Sequence, residues 1–249
     1  MTQPDCLETV NGRRIAYHLS EGAAPGVVFL GGFKSDMEGT KAVFLEEWAR
    51  RTGRAFLRFD YSGHGQSSGA FEEGAIGDWA EDAKAAITAL TDGPQILVGS
   101  SMGGWISTIL MTQIPEKICG FVGIAAAPDF TEDSMWAGFS AEQRADLDEK
   151  GSVSLPSDYG EPYVITKRLI EDGRQNLVLR EPLSAPFPVR LLQGTADADV
   201  ELSVALRLLD HTDGTNVRLT LVKGADHRFS TPECLDLIVS AVEEVIASS

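Results

Sequence analysis

The chain has 249 residues, of which 43% are hydrophobic and 23% are charged, close to the average for a soluble globular domain. This composition excludes disordered, collagen-like and coiled-coil proteins, and the length suffices for one large domain with a dry active site. The 37 acidic and 21 basic residues give a formal charge of -16, which repels phosphate backbones and anionic lipid headgroups. We therefore expect no nucleic-acid partner.

The cysteines and the N-terminal sequence bear on the compartment. Cys6, Cys119 and Cys234 are odd in number, widely spaced and without a C-x-x-C pair, which predicts free thiols in a reducing environment. The first residues have no basic start followed by an apolar run, so a cytoplasmic location is expected. The uncharged stretch 93–115 contains Pro94, Gln95 and four glycines, which makes it a poor membrane span. We expect no integral membrane association.

Short apolar runs alternate with helical periods in the first half of the chain. Asn11 and Gly12, between LETV and RIAYHL, predict a tight hairpin because both residues tolerate positive φ angles. The apolar runs that follow predict buried strands at 26–32, 54–60 and 95–99. Apolar residues at helical spacing predict helices at 40–52, 76–91 and about 103–113.

The same alternation continues in the second half, with one interruption. Strands are predicted at 121–127, 189–194 and 217–222, followed by a helix carrying Leu235, Ile238, Val242 and Val245. About 60 residues separate the first two of these strands, far more than a crossover needs. A helical pattern runs from about Pro162 to Asp172 in this insert. Large apolar side chains stand among its many charges: Met135, Trp136, Phe139, Tyr159, Tyr163, Leu169 and Ile170.

These elements predict the architecture. Alternating strands and helices with apolar strands indicate an α/β protein with a mostly parallel central sheet and helices on both faces. We expect one domain spanning 1–249, with a small helical lid inserted at about 129–186. Ligands should gather at the carboxyl ends of the strands.

A G-x-S-x-G motif carries the strongest chemical signal. Gly99-Ser100-Ser101-Met102-Gly103 lies between a predicted strand and a predicted helix, where such a turn exposes the central serine above the sheet. The same pentapeptide elsewhere would be an ordinary glycine-rich turn. In this setting it predicts Ser101 as the nucleophile.

A serine hydroxyl needs a base to remove its proton, and the chain has four histidines. His18 lies in an early strand, His64 in the loop FDYSGHGQSSG and His211 in a polar turn. His227, in GADHRF, directly follows the last predicted strand, which is where this type of fold places its base. We predict His227 as the base, although most loop histidines are only solvated.

The third member of a triad is a carboxylate that orients the imidazole. Asp197 lies three residues beyond the strand-ending Gly194, whereas Asp199 stands next to the predicted start of a helix near Val200 and suits an N-terminal capping or helix-dipole role. Asp197 is our prediction. Asp129, at the end of the strand before the insert, remains the alternative.

Two backbone amides should bind the oxyanion of the tetrahedral intermediate. One is predicted at Met102, directly after the nucleophile, and the other at Phe33, in the glycine-rich loop after strand 26–32. Trp105, Trp136 and Phe139 are predicted to line the substrate pocket, although a tryptophan early in a buried helix is more often core. Asp60 is expected to hold its own loop by side-chain hydrogen bonds. No metal or organic cofactor is expected.

Together these residues resemble the alpha/beta-hydrolase superfamily from about residue 25 to the end of the chain. The segments GGFKSDMEGTKA, FLRFDYSGHGQSSG and GPQILVGSSMGGW are similar to the branch of mitochondrial palmitoyl-protein thioesterases that also cleave acyl glucuronides. The resemblance implies a serine hydrolase acting on acyl esters or thioesters, with Ser101, Asp197 and His227 at the triad positions. We expect the chain to differ from that branch in lacking a transit segment, and it differs in Gly31, where proline is common, and in the insert.

The expected function is hydrolysis of small-molecule carboxylic esters or thioesters through an acyl-enzyme. Dehalogenases and epoxide hydrolases of this fold use an aspartate nucleophile and are excluded by the serine at position 101. An acyltransferase with the same triad and a non-catalytic ligand-binding protein of the same fold remain as alternatives.

Overall fold

The computed structural model describes residues 3–155 and 162–248. Within these ranges the strands are β1 (Asp5–Glu8), β2 (Arg14–Ser20), β3 (Ala23–Leu30), β4 (Arg54–Phe59), β5 (Gln95–Ser100), β6 (Ile118–Ile124), β7 (Ser152–Leu155), β8 (Tyr163–Thr166), β9 (Leu183–Ser184), β10 (Val189–Gly194), β11 (Thr212–Asp213) and β12 (Val217–Val222). The helices are α1 (Thr40–Thr52), α2 (Ile76–Leu90), α3 (Met102–Gln113), α4 (Ala141–Lys150), α5 (Lys167–Gln175), α6 (Leu202–His211) and α7 (Pro232–Ser248).

Eight strands form the central sheet, in the order β1-β2-β4-β3-β5-β6-β10-β12. The pairs β1/β2 and β2/β4 are antiparallel, and every other neighbouring pair is parallel. Parallel strands connected by helices bring their carboxyl ends to one edge, so the loops after β3, β5, β10 and β12 meet there. This edge holds all the candidate triad residues.

The core lies in two layers, one on each face of the sheet. In β3, Val28 and Leu30 pack into the cluster that contains residues of α2 and α3, while Val27 and Phe29 pack into the cluster beneath α1 and α7. Alternate side chains point to opposite faces, so a strand buried on both faces is mostly apolar. The predicted α/β class with helices on both faces of the sheet is confirmed.

Several element bounds differ from the sequence predictions. The hairpin loop has five residues, Thr9 to Arg13, because Glu8 pairs with Arg14 in the ladder. Strand β6 runs from Ile118 to Ile124 rather than over 121–127. The helix predicted from Pro162 is wrong in its first part, because Tyr163–Thr166 pairs with β7 as a strand and helix α5 begins only at Lys167. The β-branched pair Val164 and Ile165 favours that strand.

The insert between β6 and β10 contains a π-helical turn (Thr131–Trp136), α4, the β7/β8 hairpin, α5 and β9. Residue 159, one of its predicted aromatic side chains, lies outside the described residues. Closure of this insert over a substrate stays a prediction.

Two further sequence expectations concern the cysteines and the membrane. Cys6 is exposed, Cys119 is half-buried and Cys234 is buried, and none of the three is in a disulfide bond within the described ranges. In the described ranges, none of the helices combines the length and the apolar character that a membrane span requires. The cytoplasmic location stays a prediction.

Candidate active site

Ser101 lies in a sharp turn between β5 and α3. Its backbone has φ 54° and ψ -117°, a conformation that residues other than glycine rarely adopt. Two hydrogen bonds to the end of β6 and the residues just beyond it hold the turn in place. Ser101 N donates to Ile124 O at 2.9 Å, and Ala127 N donates to Ser101 O at 3.0 Å. The strained serine is thereby fixed at the carboxyl edge of the sheet.

The two glycines of the motif are required by close packing around this turn. A Cβ on Gly99 would overlap the backbone of Gly103, and a Cβ on Gly103 would overlap the carbonyl group of Leu30 at the end of β3. Helix α3 therefore starts almost in contact with β3. The spacing of the motif follows from this contact, because only glycine fits at both positions.

The structure brings Ser101, His227 and Asp197 together in hydrogen-bonding geometry. His227 Nε2 lies 3.1 Å from Ser101 Oγ, and His227 Nδ1 lies 2.9 Å from Asp197 Oδ2. The imidazole is 19% exposed, whereas the carboxylate is 1% exposed. A base that reaches the nucleophile and is oriented by a buried carboxylate is the arrangement that activates a serine.

The Asp197 carboxylate is held by several donors besides the histidine. Oδ1 accepts from the backbone amides of Asp199 and Val200, at 2.9 and 2.8 Å, and Oδ2 accepts from Gln193 Nε2 at 3.0 Å. Burial raises the pKa of Asp197, but the hydrogen bond from His227 and the two amides outweigh it and leave the pKa below its usual value. The carboxylate is thus kept ionised.

Gln193 is a residue that the sequence analysis missed. It is fully buried in β10, and its amide nitrogen contacts Asp197 and the carbonyl group of Val200. A glutamine in the otherwise apolar run VRLLQG is the signal that could have revealed it.

The alternative acid, Asp129, does not contact His227 and bonds instead to the segment after α5. Its carboxylate accepts from the amides of Val178 and Leu179, at 2.8 and 3.0 Å, and from Arg180 at 2.9 Å. Burial raises the pKa of Asp129 despite these donors. Asp129 anchors the segment after α5, and the structure brings Asp197 rather than Asp129 to His227.

The expected capping role of Asp199 is also wrong, because α6 begins at Leu202 and Glu201 occupies the N-cap position. Asp199 instead lines the cavity beside Ser101. Together with Asp197 and His227 it forms a group whose potential metal-ligating atoms lie within 4.8 Å of one another. Asp197 and His227 in this group are already hydrogen-bonded to each other. We therefore interpret the group as a catalytic histidine and the acid that orients it, rather than as a metal site.

A cavity of about 500 Å³ opens beside Ser101 and His227. One part of its lining is apolar and comes largely from the insert: Phe33, Phe130, Met135, Leu155, Tyr163 and Val200. Three cationic residues, Lys34, Lys41 and Arg228, also line it. A smaller pocket of about 170 Å³ adjoins it, sharing Gly32, Ser35, Lys41, Ser100 and Arg228.

The predicted pocket residues Trp105, Trp136 and Phe139 are not among those that line this cavity. Trp105 is fully buried, donates its indole N–H to Asn176 O at 2.9 Å and packs edge-to-face on Phe130. It therefore supports the cavity wall from behind.

Trp136 and Phe139 pack on each other, with ring centroids 6.1 Å apart. The guanidinium groups of Arg144 and Arg174 lie 5.0 and 4.5 Å from the Trp136 ring, which keeps that ring within the insert. Met135, its neighbour in the π-helical turn, reaches the cavity instead. Sequence periodicity could not distinguish these faces, because the turn is not α-helical.

Comparison with known proteins supplies the class. The family model Hydrolase_4, described as serine aminopeptidase S33, matches residues 24–154, more than half of the chain. The chain therefore belongs to this family of alpha/beta hydrolases, which confirms the resemblance and the predicted enzyme class, an esterase- or thioesterase-type serine hydrolase.

Individual relatives are similar over nearly the whole chain. The mitochondrial palmitoyl-protein thioesterase ABHD10 of Homo sapiens is 36% identical over 234 residues, which are 93% of this chain and 76% of the relative. Mouse alpha/beta hydrolase domain-containing protein 10 superposes with a TM-score of 0.92 at 33% identity, covering 99% of each chain. A structure assigned as a hydrolase from Agrobacterium vitis S4 gives a TM-score of 0.94 at 39% identity, covering 98% of each.

Proposed function

We propose that this protein hydrolyses small-molecule acyl esters or thioesters through a covalent acyl-enzyme on Ser101. The observation that carries the proposal is the continuous hydrogen-bonded chain from Ser101 Oγ through His227 to Asp197, beside a cavity of about 500 Å³. The thioesterase name of the human relative supports the same reaction class.

The reaction follows from the positions of these atoms. His227 Nε2 takes the Ser101 proton while Oγ attacks the acyl carbonyl carbon, and Asp197 stabilises the imidazolium that forms. The imidazolium then protonates the leaving alcohol or thiol, and the acyl group stays on Ser101. Water deprotonated by the same histidine attacks the acyl-enzyme, and the carboxylic acid leaves with Ser101 restored.

The backbone amides of Phe33 and Met102 are the proposed oxyanion donors. In the described part of the chain neither amide donates to a protein acceptor, and both residues flank Ser101, one in the cavity lining and one directly after it. The first amides of a helix have no intrahelical partner, which leaves the Met102 N–H available. Two unpaired, fixed donors suit a developing negative charge.

The apolar part of the cavity is the proposed acyl site. Phe33 contributes to it from the loop after β3. The insert contributes four side chains: Phe130, Met135, Leu155 and Tyr163. This supports the proposal that the insert, at about 129–186, acts as a lid over the acyl chain. Burial of each methylene contributes about 0.8 kcal/mol, so kcat/KM should rise about fourfold per methylene until the site is full.

The cationic part of the lining favours a leaving group with negative charge. Lys34, Lys41 and Arg228 line the cavity together with one acidic residue, Asp199, although the chain as a whole carries a charge of -16. Burial lowers the pKa of Lys41 to about 8, so its ammonium group is charged at neutral pH. A carboxylate or phosphate on the leaving group would be attracted to this side.

The proposal is tested first by active-site labelling and by an acyl series. A fluorophosphonate probe should label the wild type stoichiometrically and should not label Ser101→Ala. Ser101→Ala and His227→Ala should each lower kcat by about 10⁴ to 10⁶. A folded Ser101→Ala enzyme with near-wild-type turnover would contradict the assignment.

The substrate parts are tested separately. p-Nitrophenyl esters from acetyl to palmitoyl, used below their micelle concentrations, should give kcat/KM values that rise to medium chain lengths. Hexanoyl thioesters of coenzyme A and of neutral N-acetylcysteamine differ only in the leaving group, and the anionic one should be preferred at low salt. Flat values in the acyl series would remove the acyl-site proposal, and equal rates for the two thioesters would remove the leaving-group proposal.

The two alternatives give different outcomes in these assays. An acyltransferase would form an ester when alcohols are added, at the expense of the free acid. A non-catalytic binding protein would bind the esters without turnover and would not be labelled by the probe.

A further inference from the structure

A second loop braces the loop that carries the proposed oxyanion donor Phe33. We call residues 31–37, which follow β3, the oxyanion loop, and residues 60–69, which follow β4, the brace loop. Tyr61 Oη donates to Gly31 O at 3.4 Å, Lys34 N donates to His64 Nε2 at 3.3 Å, and Met37 N donates to Asp60 Oδ1 at 2.7 Å. The oxyanion loop is thus held at its start, middle and end by one neighbouring segment.

The middle contact is chemically unusual, because a buried imidazole is the acceptor. His64 is 4% exposed, and its Nδ1 lies 3.1 Å from the carbonyl oxygen of Ser62. Burial lowers the pKa of His64 to about 4, so the ring is neutral at neutral pH. A carbonyl group accepts only from an N–H, so Nδ1 carries the proton and Nε2 presents its lone pair to the Lys34 amide.

The ring is clamped in that orientation. The rings of Tyr61, Phe71 and Trp79 meet it edge-on, with centroids 5.1 to 5.5 Å away. The Ser62 carbonyl group that accepts from Nδ1 is itself bonded by Trp79 Nε1 at 3.0 Å, and the Ser62 amide and hydroxyl bond to the buried Asp82. The acceptor atom is therefore fixed in place before a substrate arrives.

The backbone that receives this support is strained. Lys34 has φ +57°, a left-handed conformation that costs a lysine about 1 kcal/mol or more. The bond to His64 holds the peptide directly after Phe33, and the Phe33 ring packs on Phe71 and Trp79, two of the rings that clamp His64. Without the acceptor, the peptide can relax and the Phe33 N–H can turn away from the oxyanion position.

We propose that His64 is a positioning residue for the oxyanion hole, in which its Nε2 fixes the Lys34 amide and thereby the direction of the Phe33 N–H. This inference rests on the proposed hydrolase function. His64 touches no reacting atom, so it should affect transition-state stabilisation and leave ground-state binding of the substrate nearly unchanged.

The test compares two substitutions of similar size that differ in the acceptor. His64→Gln provides a carbonyl oxygen that reaches the Lys34 amide, whereas His64→Met provides no strong acceptor. Loss of an oxyanion donor lowers kcat by about 10² to 10³, so a misdirected donor in His64→Met should lower kcat by about 10- to 100-fold, with KM within about threefold. His64→Gln should stay within about fivefold of the wild type.

Rates are expressed per active site titrated with the fluorophosphonate, so that partial unfolding does not count as lost catalysis. The inhibition constant of a trifluoromethyl ketone, which binds as a tetrahedral adduct, should rise in His64→Met by the factor by which kcat/KM falls. His211→Met serves as the control, because His211 lies at the end of α6 and contacts the carbonyl oxygen of Arg207. Unchanged kcat per titrated site in folded His64→Met would overturn the inference.

A measurement on the wild type keeps the inference testable if both variants fail to fold. ¹⁵N NMR of histidine-labelled protein should show the proton on Nδ1 at pH 7 for His64, for His227, which faces Asp197, and for His211, which faces the carbonyl oxygen of Arg207. The Nδ1–H signal that persists in both His227→Ala and His211→Met belongs to His64 and should still be uncharged at pH 5. The opposite tautomer at His64 cannot accept from the Lys34 amide and would overturn the inference. Failure of the proposed function has a different signature, since the wild type itself would then lack labelling and turnover.

Discussion

Replacement of Asp197 by asparagine isolates the role of the acid, because it removes the charge and changes the shape of the side chain very little. In the native site Oδ1 accepts from two backbone amides, of Asp199 and Val200, while Oδ2 faces His227 Nδ1 and Gln193 Nε2. An asparagine must keep its only side-chain oxygen toward the two backbone amides. In the opposite orientation its NH₂ group would face both amides, and donors would then face donors. Its NH₂ group then faces His227.

That orientation reverses the tautomer of His227. The NH₂ group can only donate, so His227 Nδ1 must accept, and the ring proton moves to Nε2. A protonated Nε2 cannot take the proton of Ser101 Oγ, 3.1 Å away. In serine hydrolases this wrong tautomer lowers kcat by about 10⁴, which corresponds to about 5.4 kcal/mol of activation free energy.

The assay is the steady-state rate on a p-nitrophenyl ester at neutral pH, per site titrated with fluorophosphonate. Asp129→Asn is the matched control, since it removes an equally buried carboxylate that bonds to Val178, Leu179 and Arg180 and lies outside the triad. It should retain its rate per site while losing about 2 to 4 kcal/mol of unfolding free energy. If Asp197→Asn turned over within tenfold of the wild type, or if Asp129→Asn suffered the larger loss in kcat, the reasoning would be refuted.

Three further outcomes are expected. Gly103→Ala should lose more than about 3 kcal/mol of unfolding free energy in urea titration, since the added methyl would overlap the carbonyl group of Leu30; a shift below about 1 kcal/mol would contradict that packing. His64 is buried and neutral with a pKa of about 4, below its unfolded value, so its contribution to stability is intact above pH 6.5 and about 3 kcal/mol is lost as pH falls to 4. Urea titrations of His64→Gln should lack that part of the acid loss, and an unchanged pH dependence would contradict the burial of a neutral ring. Substitution of Met135 by alanine should reduce kcat/KM for hexanoyl esters more than for acetyl esters, whereas Trp136→Ala should affect both alike; equal effects of Met135→Ala on both would place it outside the acyl site.

The sequence by itself determined the class of fold and the order of the chemical groups along it. Apolar runs such as GVVFL and QILVG predict buried parallel strands because a strand covered on both faces buries nearly all its side chains, and a buried polar group without a hydrogen-bond partner is costly. The motif around Ser101 is readable because its spacing is a local steric requirement, satisfied by Gly99 and Gly103. His227 could be placed because few histidines compete for a position after the last strand.

The choice between the two acids required the tertiary structure. Asp197 and Asp129 both follow strands of the same sheet, and the sequence favours Asp197 only by its place beyond the penultimate strand, without excluding Asp129. The fold turns one toward His227 and surrounds the other with the amides of Val178 and Leu179, about 50 residues away in sequence. Such long-range pairing leaves no periodic trace in the chain.

The walls of the cavity were likewise decided only by the folded molecule. Trp136 and Met135 are adjacent in sequence and both apolar, yet the π-helical turn sends one to the guanidinium groups of Arg144 and Arg174 and the other to the cavity. The role inferred for His64 has the same origin. Local patterns encode which segments become strands and helices, because those depend on neighbours along the chain, whereas side-chain partners across loops depend on how the finished elements pack.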